Sequence, residues 1–120
     1  MTRNLLGSRL VTVGDGSLAG VTGIDTAAER RPAEAGLSAA AVDAIWGGVE
    51  GLYRSGAYPA VSFCLRRRGA IVLNRSIGYA QGGGPGERRS AAARLAEPDT
   101  PICLFSASKA ITAILVHKLA

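Results

Sequence analysis

An apolar-alternating run, Ala60–Leu65, followed after the tight turn signal Arg68-Gly69 by a second strand-like run, Ala70–Tyr79, restricts this chain more than any other feature. In the first run Val61, Phe63 and Leu65 alternate with Ser62 and Cys64. Alternation of period two puts one set of side chains on each face of a pleated strand, so the pair predicts an antiparallel hairpin with one apolar face. A hairpin alone is marginal in water and needs a covering element.

The cover is predicted just upstream. Val42, Ile45, Trp46, Val49, Leu52 and Tyr53 recur at i, i+3, i+4, i+7, i+10 and i+11, which is one face of a helix. Ser38 supplies an N-cap and Ser55-Gly56 a stop. Gly47 and Gly48 each cost such a helix roughly 1 kcal/mol against Ala, so packing on the sheet must hold it. Trp46 is read as an anchor of that core rather than as a ligand platform.

A second helix is predicted at the end of the sequence, where Ile111, Ile114, Leu115 and Leu119 carry helical spacing and Pro98 and Pro101 confine the start to a point after them. It begins at or close to Ser106. Residues three apart on a helix lie about 5–6 Å apart, and a long side chain leans toward the N-terminus, so the Lys109 amine is within reach of the Ser106 hydroxyl. A serine attacks a carbonyl once a base takes its proton, and a neutral lysine can be that base. The N–H groups of a first helical turn lack intrahelical partners, so that of Ser106 can donate to an oxyanion. The same residues would also serve as a helix cap and a solvated lysine.

Four blocks decide between these readings. Tyr58-Pro59-Ala60-Val61-Ser62-Phe63 running to Arg68-Gly69-Ala70-Ile71-Val72, then Gly78-Tyr79-Ala80, Pro98-Asp99-Thr100-Pro101 and Phe105-Ser106-Ala107-Ser108-Lys109 occur in an order and spacing that resemble the N-terminal part of the serine β-lactamase-like family. Class C β-lactamases and the family VIII carboxylesterases are the nearest in look. The resemblance covers residues 37–120. It implies an α+β, β-lactamase/transpeptidase-like fold, of which these residues supply the N-terminal helix, a hairpin and the helix bearing Ser-x-x-Lys. It further implies a serine hydrolase acting on ester or amide bonds of a small-molecule substrate, with Ser106 as nucleophile, Lys109 as base, an acyl-enzyme intermediate and no cofactor. The family's second motif, Tyr-x-Asn, follows the serine, and a third, Lys/His-Thr/Ser-Gly or Trp-Gly-Gly, lies on a later strand. Here Tyr53, Tyr58 and Tyr79 all precede Ser106. The expectation is therefore the front of an enzyme, or a scaffold that keeps the fold as a non-catalytic remnant or binding module.

Other features narrow the field. With 120 residues, 48% of them hydrophobic, the chain can bury one core. A net charge of +5 and the Arg66-Arg67-Arg68 run invite a nucleic-acid reading. No aromatic is interleaved with that run, however, so a solvated turn is expected and no nucleic-acid partner. Cys64 and Cys103 lack both a disulfide framework and a metal-ligand spacing, and are expected as buried free thiols. Gln81–Leu95, with three consecutive glycines at Gly82–Gly84, reads as a flexible surface loop, since no Gly-Lys-Ser/Thr accompanies the glycines. His117, eleven residues beyond Ser106, lies roughly 16 Å further along a helix axis, too far for a Ser-His pair, and no Gly-x-Ser-x-Gly elbow exists.

Residues 1–36 show no sustained periodicity and read as a poorly ordered leader with a short strand at Arg9–Val13. Gly7, Ser8 and Arg9 interrupt its apolar residues before they reach signal-peptide length, and no stretch reaches transmembrane length, so a cytoplasmic protein with no membrane span is expected. The hairpin's missing partner strands lie in the family's C-terminal part. An unpaired sheet edge, and with it poor solubility or partial order, is expected of residues 1–120 by themselves.

Overall fold

The computed structural model describes residues 10–87 and 91–119. Its centre is the hairpin. Strands β2 (Ala60–Arg67) and β3 (Ala70–Gln81) pair antiparallel, with Val61 opposite Ile77, Leu65 opposite Leu73 and Arg67 opposite Ala70. Arg68 (φ 50°) and Gly69 (φ 80°) both turn through positive φ, as a two-residue loop that matches strand twist requires. A bulge between Leu65 and Arg66 adjusts the register before the turn.

Strand β1 (Thr22–Ile24) pairs with β3 on its other side, and β4 (Arg94–Leu95) with the far end of β3, giving the path β1-β3-β2 with β4 off it. β3 is thus bonded on both sides, while the outer edge of β2 has no strand partner among the described residues.

Helix α1 (Ala39–Arg54) is capped as its sequence predicts, the Ser38 hydroxyl accepting from the Ala41 N–H at 3.1 Å. Val42, Trp46, Val49 and Tyr53 are buried, and join Leu18, Ala35, Val72, Leu73 and Ile77 in one core cluster. Val61, Phe63 and Leu65 pack against that cluster from β2. Leu73 and Ile77 are fully buried, each contributing about 1.5–3 kcal/mol of transfer free energy. Ile45 and Leu52, expected on the buried face, are instead exposed at 37% and 46%. The buried stripe is narrow, and both residues lie roughly 60–80° from Val42 at 3.6 residues per turn, on its flank.

The stretch before α1 carries more structure than its sequence suggested. Besides β1 it holds 3-10 turns at Ala19–Val21 and Pro32–Ala35, and Leu18 and Ala35 are buried in the core. Elements of three or four residues are too short to produce a detectable periodicity. Residues 10–13, where part of a strand was expected, are not in regular structure, although the Val11 N–H donates to the Gly56 carbonyl at 2.8 Å. Arg9 and the leucines before it lie outside the described residues.

A polar clamp ties this stretch to β3. Arg75 donates from Nε to Glu29 Oε1 at 2.7 Å and from Nη2 to Oε2 at 2.8 Å, a two-point pairing of guanidinium and carboxylate. The Asn74 N–H also donates to Glu29, and the Asn74 amide group to Asp25 Oδ2. Arg75 lies 5.4 Å from the Trp46 ring centre, joining α1 to the clamp by a cation–π contact. Burial works against the Glu29 charge, but the hydrogen bonds from Arg75 and Asn74 outweigh it and hold the carboxyl below its ordinary 4.5. A group whose pKa is lower folded than unfolded stabilises fully above its unfolded value, and that contribution is lost as pH falls through the folded value. Glu29→Gln is therefore expected to cost about 1–3 kcal/mol at neutral pH and to flatten the stability loss below pH 4.5. Urea midpoints at neutral and acid pH test this; equal acid losses in variant and wild type would contradict it.

Candidate active site

Ser76, fully buried on β3, donates its hydroxyl to the Ala96 carbonyl, and the Ala96 N–H donates to the Gly78 carbonyl at 3.0 Å. These bonds fasten the chain to the sheet just before it leaves for the serine. Glu97 and Thr100 then close a turn, the Thr100 N–H reaching the Glu97 carbonyl at 3.0 Å and the Glu97 N–H the Thr100 hydroxyl at 2.8 Å. A cleft of about 300 Å³ lies between the hairpin and this segment, with Pro59, Ser62, Tyr79, Thr100 and Cys103 in its lining.

Ser106 occupies the middle of a 3-10 turn, Phe105–Ala107, that runs directly into helix α2 (Ser108–Leu119). The helical start expected at or near Ser106 is thus two-stage. Phe105 adopts φ 47°, a left-handed conformation that costs a non-glycine residue roughly 1–2 kcal/mol. It bends the chain sharply just before the serine. The Ser106 N–H precedes the first hydrogen bond of the turn, from the Ala107 N–H to the Leu104 carbonyl at 3.0 Å. It therefore belongs to the set of donors that a helix head leaves available.

The two serines at this head differ. Ser108 donates its hydroxyl to the Phe105 carbonyl at 2.6 Å, and Thr112 donates to the Ser108 carbonyl at 3.1 Å. The Ser106 hydroxyl makes no hydrogen bond among the described residues, either as a cap or to Lys109. Both Ser106 and Lys109 are exposed. Lys109 stands one turn along from the serine, in reach by sequence but not bonded to it. His117 lies in the last turn of α2, at the opposite end from Ser106.

The apolar positions of α2 face solvent: Ile111, Ile114, Leu115 and Leu119 are all exposed, as are Leu104 and Phe105. Their helical spacing is as predicted, yet no buried residue occurs in the helix. Cys64 and Cys103 are free, as expected, but exposed rather than buried. Cys64 shares the phase of Ser62 and Arg66 on β2, the outward set of the alternation. The left-handed Phe105 is the feature that sequence reasoning missed, since a phenylalanine carries no signal for positive φ.

Among the described residues no group of three or more His, Cys, Asp or Glu side chains is arranged to hold a metal ion. No helix there is long and apolar enough to cross a membrane.

The described residues thus form a mixed α+β unit, with one helix packed on an antiparallel sheet and Ser-x-x-Lys at the head of a second. The Beta-lactamase family model matches residues 25–120, and the chain belongs to that family. No curated protein and no solved structure matches it.

Proposed function

We propose that this chain carries the nucleophile and base of a serine hydrolase that opens ester or amide bonds through an acyl-enzyme, with Ser106 as nucleophile and Lys109 as base. The observation that carries this reading is the head of α2, where the sharp turn at Phe105 presents a Ser106 hydroxyl that no backbone group has claimed. In the acylation step Ser106 Oγ attacks the carbonyl carbon while its proton passes to the Lys109 amine. The oxyanion that forms accepts a hydrogen bond from the Ser106 N–H. Collapse breaks the bond to the leaving group, which takes the proton from Lys109, and water later hydrolyses the serine ester.

Esters rank ahead of β-lactams as substrates. An amide nitrogen must be protonated as it leaves, whereas an activated alkoxide or phenoxide departs without such help.

The second reading is a scaffold without catalysis, favoured by the missing Ser106–Lys109 hydrogen bond and by the exposed apolar side of α2. A fluorophosphonate probe separates the two. Wild-type chain is expected to gain one covalent adduct by intact mass, and Ser106→Ala none. An unlabelled wild type, or equal labelling of both, would leave the scaffold reading in place.

A further inference from the structure

The hairpin tip gathers more positive charge than a solvated turn requires. Residues 28–34 and 66–71, far apart in sequence, meet there because the Arg30 N–H donates to the Ile71 carbonyl at 2.8 Å. Between them lies a shallow cleft of about 550 Å³ whose lining includes Arg30, Arg66, Arg68 and Glu34. Arg67 is held by a hydrogen bond from Nη1 to the Gly36 carbonyl at 3.2 Å, and the Arg68 guanidinium lies against Gly36, filling the space a Cβ would take. Gly36 has φ 66°, so the close approach and the backbone conformation both call for glycine at this point.

Counter-charge is scarce. Glu34 stands 4.0 Å from Arg31, at hydrogen-bonding range for neither partner, and the nearby Glu29 carboxylate is already taken by Arg75. The guanidinium groups of Arg30, Arg66 and Arg68 share this cleft and repel one another unless an anion joins them. Planar guanidinium forks match phosphate oxygens in pairs, which lysines would not do. The shallow cleft is open enough to admit a compact anion, and the absence of interleaved aromatics argues against a nucleic-acid strand.

We infer that the cleft between the hairpin tip and residues 30–36 binds a compact oligophosphate group, the shared chemistry of inorganic polyphosphate and of a nucleotide's phosphate chain. This site is separate from Ser106 and does not depend on the hydrolase reading.

Titration of the isotopically labelled 120-residue chain with inorganic tripolyphosphate, followed by amide and arginine side-chain NMR shifts, tests it. Saturable shifts confined to residues 28–36 and 66–71 are expected. Arg66→Gln/Arg68→Gln is expected to weaken binding at least about tenfold, as loss of two charge-assisted contacts implies, while Arg94→Gln, at an exposed site on β4, leaves it unchanged. Should the double variant lose its dispersed spectrum, Arg30→Gln takes its place, with a weakening of about threefold expected from the one charge-assisted contact removed. ATP binding as tightly as tripolyphosphate supports recognition of the phosphate chain alone, and tighter binding adds the nucleoside to the site. Shifts spread over arginines across the whole surface, an equal effect of Arg94→Gln, or a single-stranded oligonucleotide preferred at equal phosphate concentration would overturn the inference.

Discussion

Lys109→Ala is expected to slow acylation of Ser106 by about 10²–10⁴-fold, the range that a positioned general base contributes. The serine lies in the 3-10 turn that opens into α2 and the lysine in the first turn of that helix, so the two are held at fixed spacing by backbone alone. Removing the amine leaves the bend at Phe105 and the Ser106 N–H untouched, and only proton removal suffers. Lys109→Arg sharpens the test, because a guanidinium keeps the positive charge but cannot be deprotonated in a protein. If Lys109 works as a base, arginine is as poor as alanine. If it works only by its charge, arginine restores most of the rate. Rates of acylation by an activated phenyl ester, measured for the three chains, distinguish the two roles; an alanine variant as fast as wild type would remove Lys109 from the chemistry.

Gly78→Ala is expected to be the most damaging single-methyl change in the sheet. Gly78 sits in β3 at φ 101°, and an added Cβ would overlap the Pro59 carbonyl oxygen while lying 2.6 Å from the Tyr53 ring and 2.9 Å from the Ala60 Cα. Two of those obstacles are backbone and the third is the ring of a fully buried residue, so none can swing aside. Conformational strain and overpacking together amount to about 2–5 kcal/mol, a large part of a small domain's stability. Gly69→Ala is the internal control. Gly69 also has positive φ, at 80°, but nothing lies within 4 Å of its Cβ position. Its replacement carries the strain without the clash, about 1–2 kcal/mol. Urea unfolding of both variants measures the difference, and equal losses would show that packing at Gly78 is looser than this geometry.

The parts of the fold that were legible in the sequence are those whose signals are local. Ser38, the four buried positions of α1 and the Arg68-Gly69 turn announce themselves within a few residues, and each is found in place. The strands outrun their expected ends by two residues each, since Arg66, Arg67, Ala80 and Gln81 continue the ladder without continuing the apolar alternation. What escaped depends on distance. Glu29 and Arg75 are 46 positions apart, and nothing in either neighbourhood states that they meet. The exposure of Ile45 and Leu52 depends on how wide a face the sheet offers α1, and periodicity does not carry that width. For the site, Ser-x-x-Lys and the family blocks were readable, whereas the left-handed Phe105 and the tethering of Ser108 to it were not. Cysteine burial was misjudged by residue type, although the phase of Cys64 with Ser62 already pointed outward.

The central claim is that the Ser106 hydroxyl, and no other group of this chain, is the nucleophile. Proteolysis and tandem mass spectrometry of the chain after reaction with a fluorophosphonate would locate the adduct directly. The account predicts modification at Ser106, absent from Ser108 two residues away and lost when Lys109 is alanine. An adduct on Ser108, adducts scattered over exposed serines and lysines, or none at all would contradict it.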